Sequence, residues 1–165
     1  MENNFVGRHV IMDCVVENIF KIVSKSIVYD FLTDITDLLN MTLVVPPIVI
    51  QFPFANESIK LINQLKNENI KSPSINDFIE KIEKRNKEEA GISGVSIWAE
   101  SHTAFHSWPE SLYFSLDIYS CHGFNSEIAI QYVKDIFNLK YASILVVDRF
   151  IGKLATFELT EYNKI

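Results

Sequence analysis

Apolar residues in this chain fall into runs of two different periods, and the alternation between them sets out its elements. Residues 8–16, Arg-His-Val-Ile-Met-Asp-Cys-Val-Val, read as a first buried strand. From Ile19 to about Asn40 the period changes: Ile22, Val23, Ile27, Phe31, Ile35 and Leu38–Leu39 recur at helical spacing, with a break expected at Ser24–Ser26. Residues 41–51 are β-branched and apolar and predict a second strand, in which Pro46-Pro47 calls for a bulge or an edge position. Residues 56–89 are polar and charged, a surface insertion holding one capped amphipathic helix from Ser74.

The strand period returns at Gly91 and runs to about Ala99, then again over 103–108 and 113–121. In the last of these, Leu116 and Ile118 point one way while Ser115, Asp117, Tyr119 and Cys121 point the other. One face of that strand is therefore polar and reactive. A helix capped by Ser126 spans about 127–138, with Ile128, Ala129, Tyr132, Val133, Ile136 and Phe137 on its apolar side. A strong strand at 143–150 and a weaker segment at 154–159 close the chain. This order predicts an α+β fold: a two-layer sandwich in which helices cover one face of a mainly antiparallel sheet.

Composition narrows the function without naming it. At 165 residues, 48% hydrophobic and 22% charged, the chain suits one soluble domain. Its net charge of −6 disfavours nucleic acid, which needs clustered Lys and Arg, and weakly suits a cationic substrate. The start, Met1-Glu-Asn-Asn-Phe, lacks the features of a secretory signal, and the apolar run 43–50 is too short to span a membrane. With only two cysteines, Cys14 and Cys121, far apart in sequence, the expectation is a cytoplasmic protein with free thiols.

The candidate chemistry lies in Gly91–Glu110, Gly-Ile-Ser-Gly-Val-Ser-Ile-Trp-Ala-Glu-Ser-His-Thr-Ala-Phe-His-Ser-Trp-Pro-Glu, and in Cys121 beyond it. Ser101 follows a strand and sits near His102 and His106, but no Gly-x-Ser-x-Gly elbow surrounds it. The two histidines read as strand residues without an accompanying ligand set, which disfavours zinc. Trp98 and Trp108 read as core or interface aromatics, Cys14 as a buried strand thiol, and His9 has no assigned role. Ser93 and Ser101 share strand parity, yet eight extended residues span roughly 27 Å. Either the chain turns sharply near Ala99–Glu100 or a second protomer supplies some of the groups.

Five ordered elements resemble the S-adenosylmethionine decarboxylase proenzymes of bacterial and archaeal type. They are Gly7-Arg8-His9 with Asp13-Cys14, Gly-Ile-Ser-Gly at 91–94, Ala-Glu-Ser-His at 99–102, His-Ser-Trp-Pro-Glu at 106–110 and Asp-Ile-Tyr-Ser-Cys at 117–121. The resemblance implies autocatalytic serinolysis between Glu100 and Ser101, giving a β chain of 1–100 and an α chain of 101–165 capped by a pyruvoyl group made from Ser101. That ketone would form a Schiff base with the substrate amine and act as electron sink for decarboxylation, with no metal. It further implies His106 as proton acceptor in processing, Cys121 as proton donor, Ser93 as a processing aid and Glu110 as a ligand of the substrate ribose. A homodimer of processed αβ units with shared sites follows from the same resemblance.

The charged insertion separates Phe52-Pro53-Phe54 from Gly91, where shorter members of the family run on almost directly. Phe52 and Phe54 are the candidates for a ring stacked on adenine, without a secure alignment for either. That departure keeps open arginine or ornithine as the substrate of a pyruvoyl-dependent decarboxylase. A catalytically silent regulatory homologue is a third reading, against which the retention of Ser101, His106 and Cys121 argues.

Overall fold

The computed structural model describes residues 5–52, 77, 80 and 91–164. Among these residues, seven strands form one antiparallel sheet: β1 (Phe5–Val16), β2 (Ile48–Phe52), β3 (Gly91–Trp98), β4 (Ser101–Trp108), β5 (Tyr113–Ser120), β6 (Leu139–Phe150) and β7 (Thr156–Asn163). They lie side by side in the order β2-β3-β4-β5-β1-β6-β7. Helices α1 (Phe20–Val23), α2 (Lys25–Leu38) and α3 (Ser126–Phe137) cover one face. This is the two-layer α+β sandwich expected from the order of elements.

Alternation decides which side chains the helices cover. Val10, Met12, Cys14 and Val16 of β1, Phe105 of β4 and Phe114, Leu116 and Ile118 of β5 are all fully buried. Against them α2 sets Val28, Phe31, Leu32 and Ile35, and α3 sets Ala129, Val133 and Phe137. Phe137 is the hub, with ring centroids 4.7 Å from Phe114, 5.0 Å from Phe31 and 5.4 Å from Phe105. Each such aromatic contributes about 1.5–3 kcal/mol by burial, so this cluster fixes the helices on the sheet.

The intervening positions form the other face, which no element among the described residues covers. His9, Tyr113, Ser115, Asp117, Tyr119, His102 and Ala104 are half-buried there, while Asp13 and His106 are exposed. Ile48, Ile50, Ile97, Phe157 and Leu159 add exposed apolar surface toward its sides.

The break expected at Ser24–Ser26 is present and divides the helical run over 19–40 in two: Ser24 is extended (ψ 108°) and caps α2, its hydroxyl accepting from Ile27 N at 3.4 Å. Several boundaries differ from expectation. The strand expected over 41–51 pairs only at 48–52; ahead of Pro46-Pro47 a single bridge joins Leu43 to Trp98. Proline offers no N–H to a ladder, which delays pairing. Helix α3 is capped by Asn125 rather than Ser126: its Oδ1 accepts from Glu127 N at 3.0 Å and Ile128 N at 3.2 Å. β4 begins at Ser101, two residues earlier than its apolar pattern indicates, and the weak segment at 154–159 is the start of a full edge strand, β7. The amphipathic helix expected from Ser74 lies mostly outside the described residues.

Two glycines of the Gly-Ile-Ser-Gly motif have steric reasons. Gly91 has φ +155°, and a Cβ there would meet the Ser107 carbonyl oxygen at 2.1 Å. At Gly94 a Cβ would meet Leu32 Cδ1 at 2.7 Å, so its bareness lets α2 approach the sheet.

Candidate active site

β3 and β4 are joined by a two-residue turn, Ala99–Glu100, with Trp98 and Ser101 paired across its base. The sharp turn anticipated at this point is therefore present, and it sets Ser101 at the very start of β4. Ser101 has φ +151°, a region that residues with a side chain rarely occupy and that persists only when the surroundings impose it. Three sets of contacts impose it. The backbone N–H of Cys121 donates to the Glu100 carbonyl oxygen at 2.9 Å, and the Ala99 N–H donates to Thr42 O at 2.9 Å. The Thr42 N–H donates to Glu100 Oε2 at 2.9 Å, which holds that carboxyl below the usual carboxylate range. Behind the turn, the buried Trp98 indole N–H lies 2.8 Å from Thr36 Oγ1 and 2.9 Å from Ser96 Oγ, tying β3 to α2. Chemically, the Glu100 carbonyl is polarised by a donor while the adjacent serine backbone is strained.

Cys121 follows the last residue of β5 and is exposed, whereas Cys14 is buried and its thiol is pushed up by desolvation, first, and by Asp13. Glu100, Ser101 and Cys121 thus gather at one end of the β3–β5 ladder.

Ser93, His106 and Glu110 gather toward the other end. Ser93 Oγ lies 2.9 Å from His106 Nδ1 across the β3–β4 pair, on the uncovered face. Glu110 is exposed in the short turn Pro109–Ser111 that follows β4. A shallow, mainly apolar pocket of about 300 Å³, lined by Ile48, Ile50, Ser93, Val95, Ala104 and His106 among others, adjoins that pair. Five residues of ordinary strand, roughly 17 Å, separate His106 from Ser101. Strand alternation also puts His106 on the uncovered face, while Ser101 pairs with Trp98 and Ser120, which lie under the helices. One chain therefore does not bring the two groups together. Phe52 ends β2 opposite Gly91, and Phe54 lies outside the described residues.

A further polar cluster lies between these ends on the uncovered face. His9 Nε2 is 3.1 Å from Asp117 Oδ1, and the Tyr119 ring packs at 5.6 Å from His9 and 6.0 Å from His102, with the Arg149 guanidinium 4.9 Å away. Desolvation lowers the His9 pKa against the opposing pull of Asp117. The Tyr113 hydroxyl donates to Asp13 Oδ1, and desolvation followed by that carboxylate pushes the phenol up to about 12. The alternating pattern of β5 signalled this face, but nothing in sequence joined His9 to Asp117. Thr42 and Thr36 were missed altogether, since a backbone donor and an internal helix hydroxyl carry no motif. Among the described residues, no three His, Cys, Asp or Glu side chains are grouped to hold a metal, and no helix is long and apolar enough to cross a membrane.

Comparison with known proteins gives this arrangement a context. The sequence model of the S-adenosylmethionine decarboxylase family matches residues 55–150, more than half of the chain. The chain belongs to that family. An S-adenosylmethionine decarboxylase proenzyme from Thermococcus kodakarensis is 45% identical over 62 residues, 37% of this chain and 43% of the relative. One from Bacillus velezensis is 36% identical over 62 residues, 38% of this chain and 49% of the relative. The matched stretch thus spans less than half the length of these curated relatives. The crystal structure of the adenosylmethionine decarboxylase from Aquifex aeolicus VF5 shares the fold, with a TM-score of 0.61 at 21% identity over 91% of this chain and 95% of that one.

Proposed function

We propose that this chain is a proenzyme that cuts itself between Glu100 and Ser101 and then decarboxylates S-adenosylmethionine, making an aminopropyl donor for polyamine synthesis. The observation that carries the reading is Ser101 itself, with φ +151° directly after a carbonyl that accepts the Cys121 N–H. Strain raises the energy of the starting peptide, and the donor favours the oxyanion that forms on it.

The serine hydroxyl attacks the Glu100 carbonyl carbon; the C–N bond breaks as the ester C–O bond forms, and the hydroxyl proton passes to the nitrogen. A base then removes the α-proton of residue 101 and the Cβ–O bond breaks. Residues 1–100 leave with a carboxylate at Glu100, and dehydroalanine remains at 101. Tautomerisation and hydrolysis by water release ammonia and leave a ketone capping 101–165. This pyruvoyl group supplies a carbonyl that holds the substrate amine and takes up the electrons left by departing carbon dioxide.

His106 serves as the base for elimination, with Ser93 holding its ring. Cys121 returns a proton to the substrate carbon, a role supported by its exposure beside Ser101 and by the ability of thiols to exchange protons near neutral pH. Because roughly 17 Å of strand separates Ser101 from His106 within one chain, a second copy supplies Ser93, His106 and Glu110 to each Glu100–Ser101–Cys121 end. Packing two uncovered faces together would also bury Ile48, Ile50 and Ile97, which are 41–49% exposed. Glu110 would hold the ribose, Phe52 or Phe54 would stack on adenine, and the free thiols suit the cytoplasm.

Intact mass is the test: the 19.0 kDa chain should split into two fragments at Glu100–Ser101. The split protein should then release carbon dioxide from S-adenosylmethionine and not from arginine or ornithine. A chain that stays whole overturns the reading, and release from arginine or ornithine alone replaces the substrate.

A further inference from the structure

We infer that the Thr42 backbone and the Glu100 carboxylate form a latch that holds the strained turn in the conformation from which it cuts. The inference rests on the self-cleavage reading above and adds a positioning role for the Glu100 side chain, separate from the carbonyl that Ser101 attacks.

Thr42 grips both residues of the turn. Its N–H donates to Glu100 Oε2 at 2.9 Å, and its carbonyl accepts the Ala99 N–H at 2.9 Å. The grip continues backwards along the hairpin, where the Val44 N–H donates to Ile97 O at 3.0 Å and Leu43 bridges Trp98. Segment 42–44 therefore lies alongside the tip of β3, joined to it by one bridge and these hydrogen bonds. It is not a free loop, because the Met41 N–H donates to Thr36 O at 2.9 Å and Thr36 lies buried on α2. The same Thr36 receives the Trp98 indole N–H. One helix thus anchors both the strand that enters the turn and the segment that clasps it.

The need for such an anchor follows from the backbone. A non-glycine residue at φ +151° relaxes unless its neighbours over-determine it. The Cys121 N–H fixes the Glu100 carbonyl oxygen from the β5 side. On the opposite side Thr42 O holds only the Ala99 N–H, which leaves the Glu100 peptide free to rotate and relieve the serine. The Glu100 side chain adds the missing hold, reaching to Thr42 from the residue whose carbonyl must stay aligned. Donation from Thr42 also holds the pKa of this carboxyl below its ordinary value, so the carboxylate is ionised and a full acceptor at neutral pH.

The test follows the split of the full chain by time-resolved intact mass for wild type, Glu100→Ala and Glu100→Gln. Losing one hydrogen bond should slow the split of Glu100→Ala by about tenfold, while Glu100→Gln, which keeps an acceptor oxygen, stays within a few-fold of wild type. Hydroxylamine cuts an ester and not an amide. A latch acting before the acyl shift therefore predicts no acceleration of Glu100→Ala by hydroxylamine. Melting of the uncleavable Ser101→Ala chain should change little when Glu100→Ala is added. Wild-type rates in Glu100→Ala, equal slowing in both variants, rescue by hydroxylamine, or a matching drop in melting temperature would each overturn the latch. A wild-type chain that never splits overturns the underlying reading instead.

Discussion

Ser93 and His106 face each other across β3 and β4, hydroxyl to Nδ1 at 2.9 Å, on the face the helices leave uncovered. A hydroxyl at that nitrogen fixes the ring and selects which nitrogen is free to take a proton. If His106 removes the α-proton in the elimination step, His106→Ala should stop after the acyl shift, with processing slowed roughly 100-fold or more. The stalled chain carries an ester, so hydroxylamine should cut it at Glu100–Ser101 and mass spectrometry should find a hydroxamate on the first fragment. Ser93→Ala, which only releases the ring, should slow processing by about tenfold. An uncut His106→Ala chain inert to hydroxylamine would remove the histidine from that step.

The division of candidate residues between two ends of the ladder makes a separate prediction about assembly. Ser101→Ala and His106→Ala chains should each remain largely whole when produced alone. Produced together, a mixed dimer pairs the intact Ser101 of one chain with the intact His106 of the other. Essentially every His106→Ala chain held in a mixed dimer should then split, and no Ser101→Ala chain should. Absence of any split in the mixture, with mixed dimers confirmed by mass, would confine each site to a single chain. Pairing Ser101→Ala with Cys121→Ala would be the wrong choice, since both residues belong to the same end of the sheet.

The layers of the fold were legible because strand and helix periods differ and because β5 alternates so cleanly between Leu116 and Ile118 on one side and Asp117 and Tyr119 on the other. The residues Glu100, Ser101, His106 and Cys121 were legible as motifs. What sequence could not convey was their grouping. His106 lies five residues from Ser101 in sequence and looks like a neighbour, yet strand geometry carries it to the far part of the sheet. Conversely Thr42 lies 58 residues from Glu100, and their bond exists only because segment 42–44 runs along the hairpin tip. The extent of β2 was misjudged for a local reason: β-branched residues before Pro46-Pro47 favour extended backbone, but the two prolines bring no N–H to a ladder, so the pairing begun at Leu43 stops at one bridge.

Gly91 and Gly94 belong to the motif that also contains Ser93, and their roles should separate from chemistry. Gly91→Ala places a Cβ 2.1 Å from the Ser107 carbonyl oxygen at a φ of +155°, so backbone must move. A loss of about 2–4 kcal/mol in chemical denaturation is expected. Gly94→Ala meets the end of the Leu32 side chain at 2.7 Å, which can shift only within a filled core, and should cost about 1–3 kcal/mol. Both substitutions are best measured in the Ser101→Ala background, where a single intact chain unfolds. No loss at Gly91 would mean that β3 can enter the sheet along another path.

Arg8 and Asp148 supply the clearest dependence on pH. The guanidinium donates through Nε to Oδ1 at 2.7 Å and through an Nη to Oδ2 at 2.8 Å, and its other Nη donates to the Phe124 carbonyl at 3.0 Å. One side chain therefore joins β1, β6 and the approach to α3. The hydrogen bonds from Arg8 hold the Asp148 carboxyl below its ordinary value, with the attraction of opposite charges adding to them. A carboxyl depressed on folding contributes stability that is complete above its unfolded pKa of about 4 and is lost as pH falls through the folded value. The wild-type melting temperature should accordingly fall more steeply below about pH 4 than that of Asp148→Asn. Above about pH 5 the two curves should run parallel, with the variant lower. Both side chains remain partly open to solvent, so raised salt should narrow the gap between them. Curves that stay parallel down to pH 2 would show that Asp148 titrates alike in the folded and unfolded chains, and the pair would then be a contact without linkage to acid unfolding.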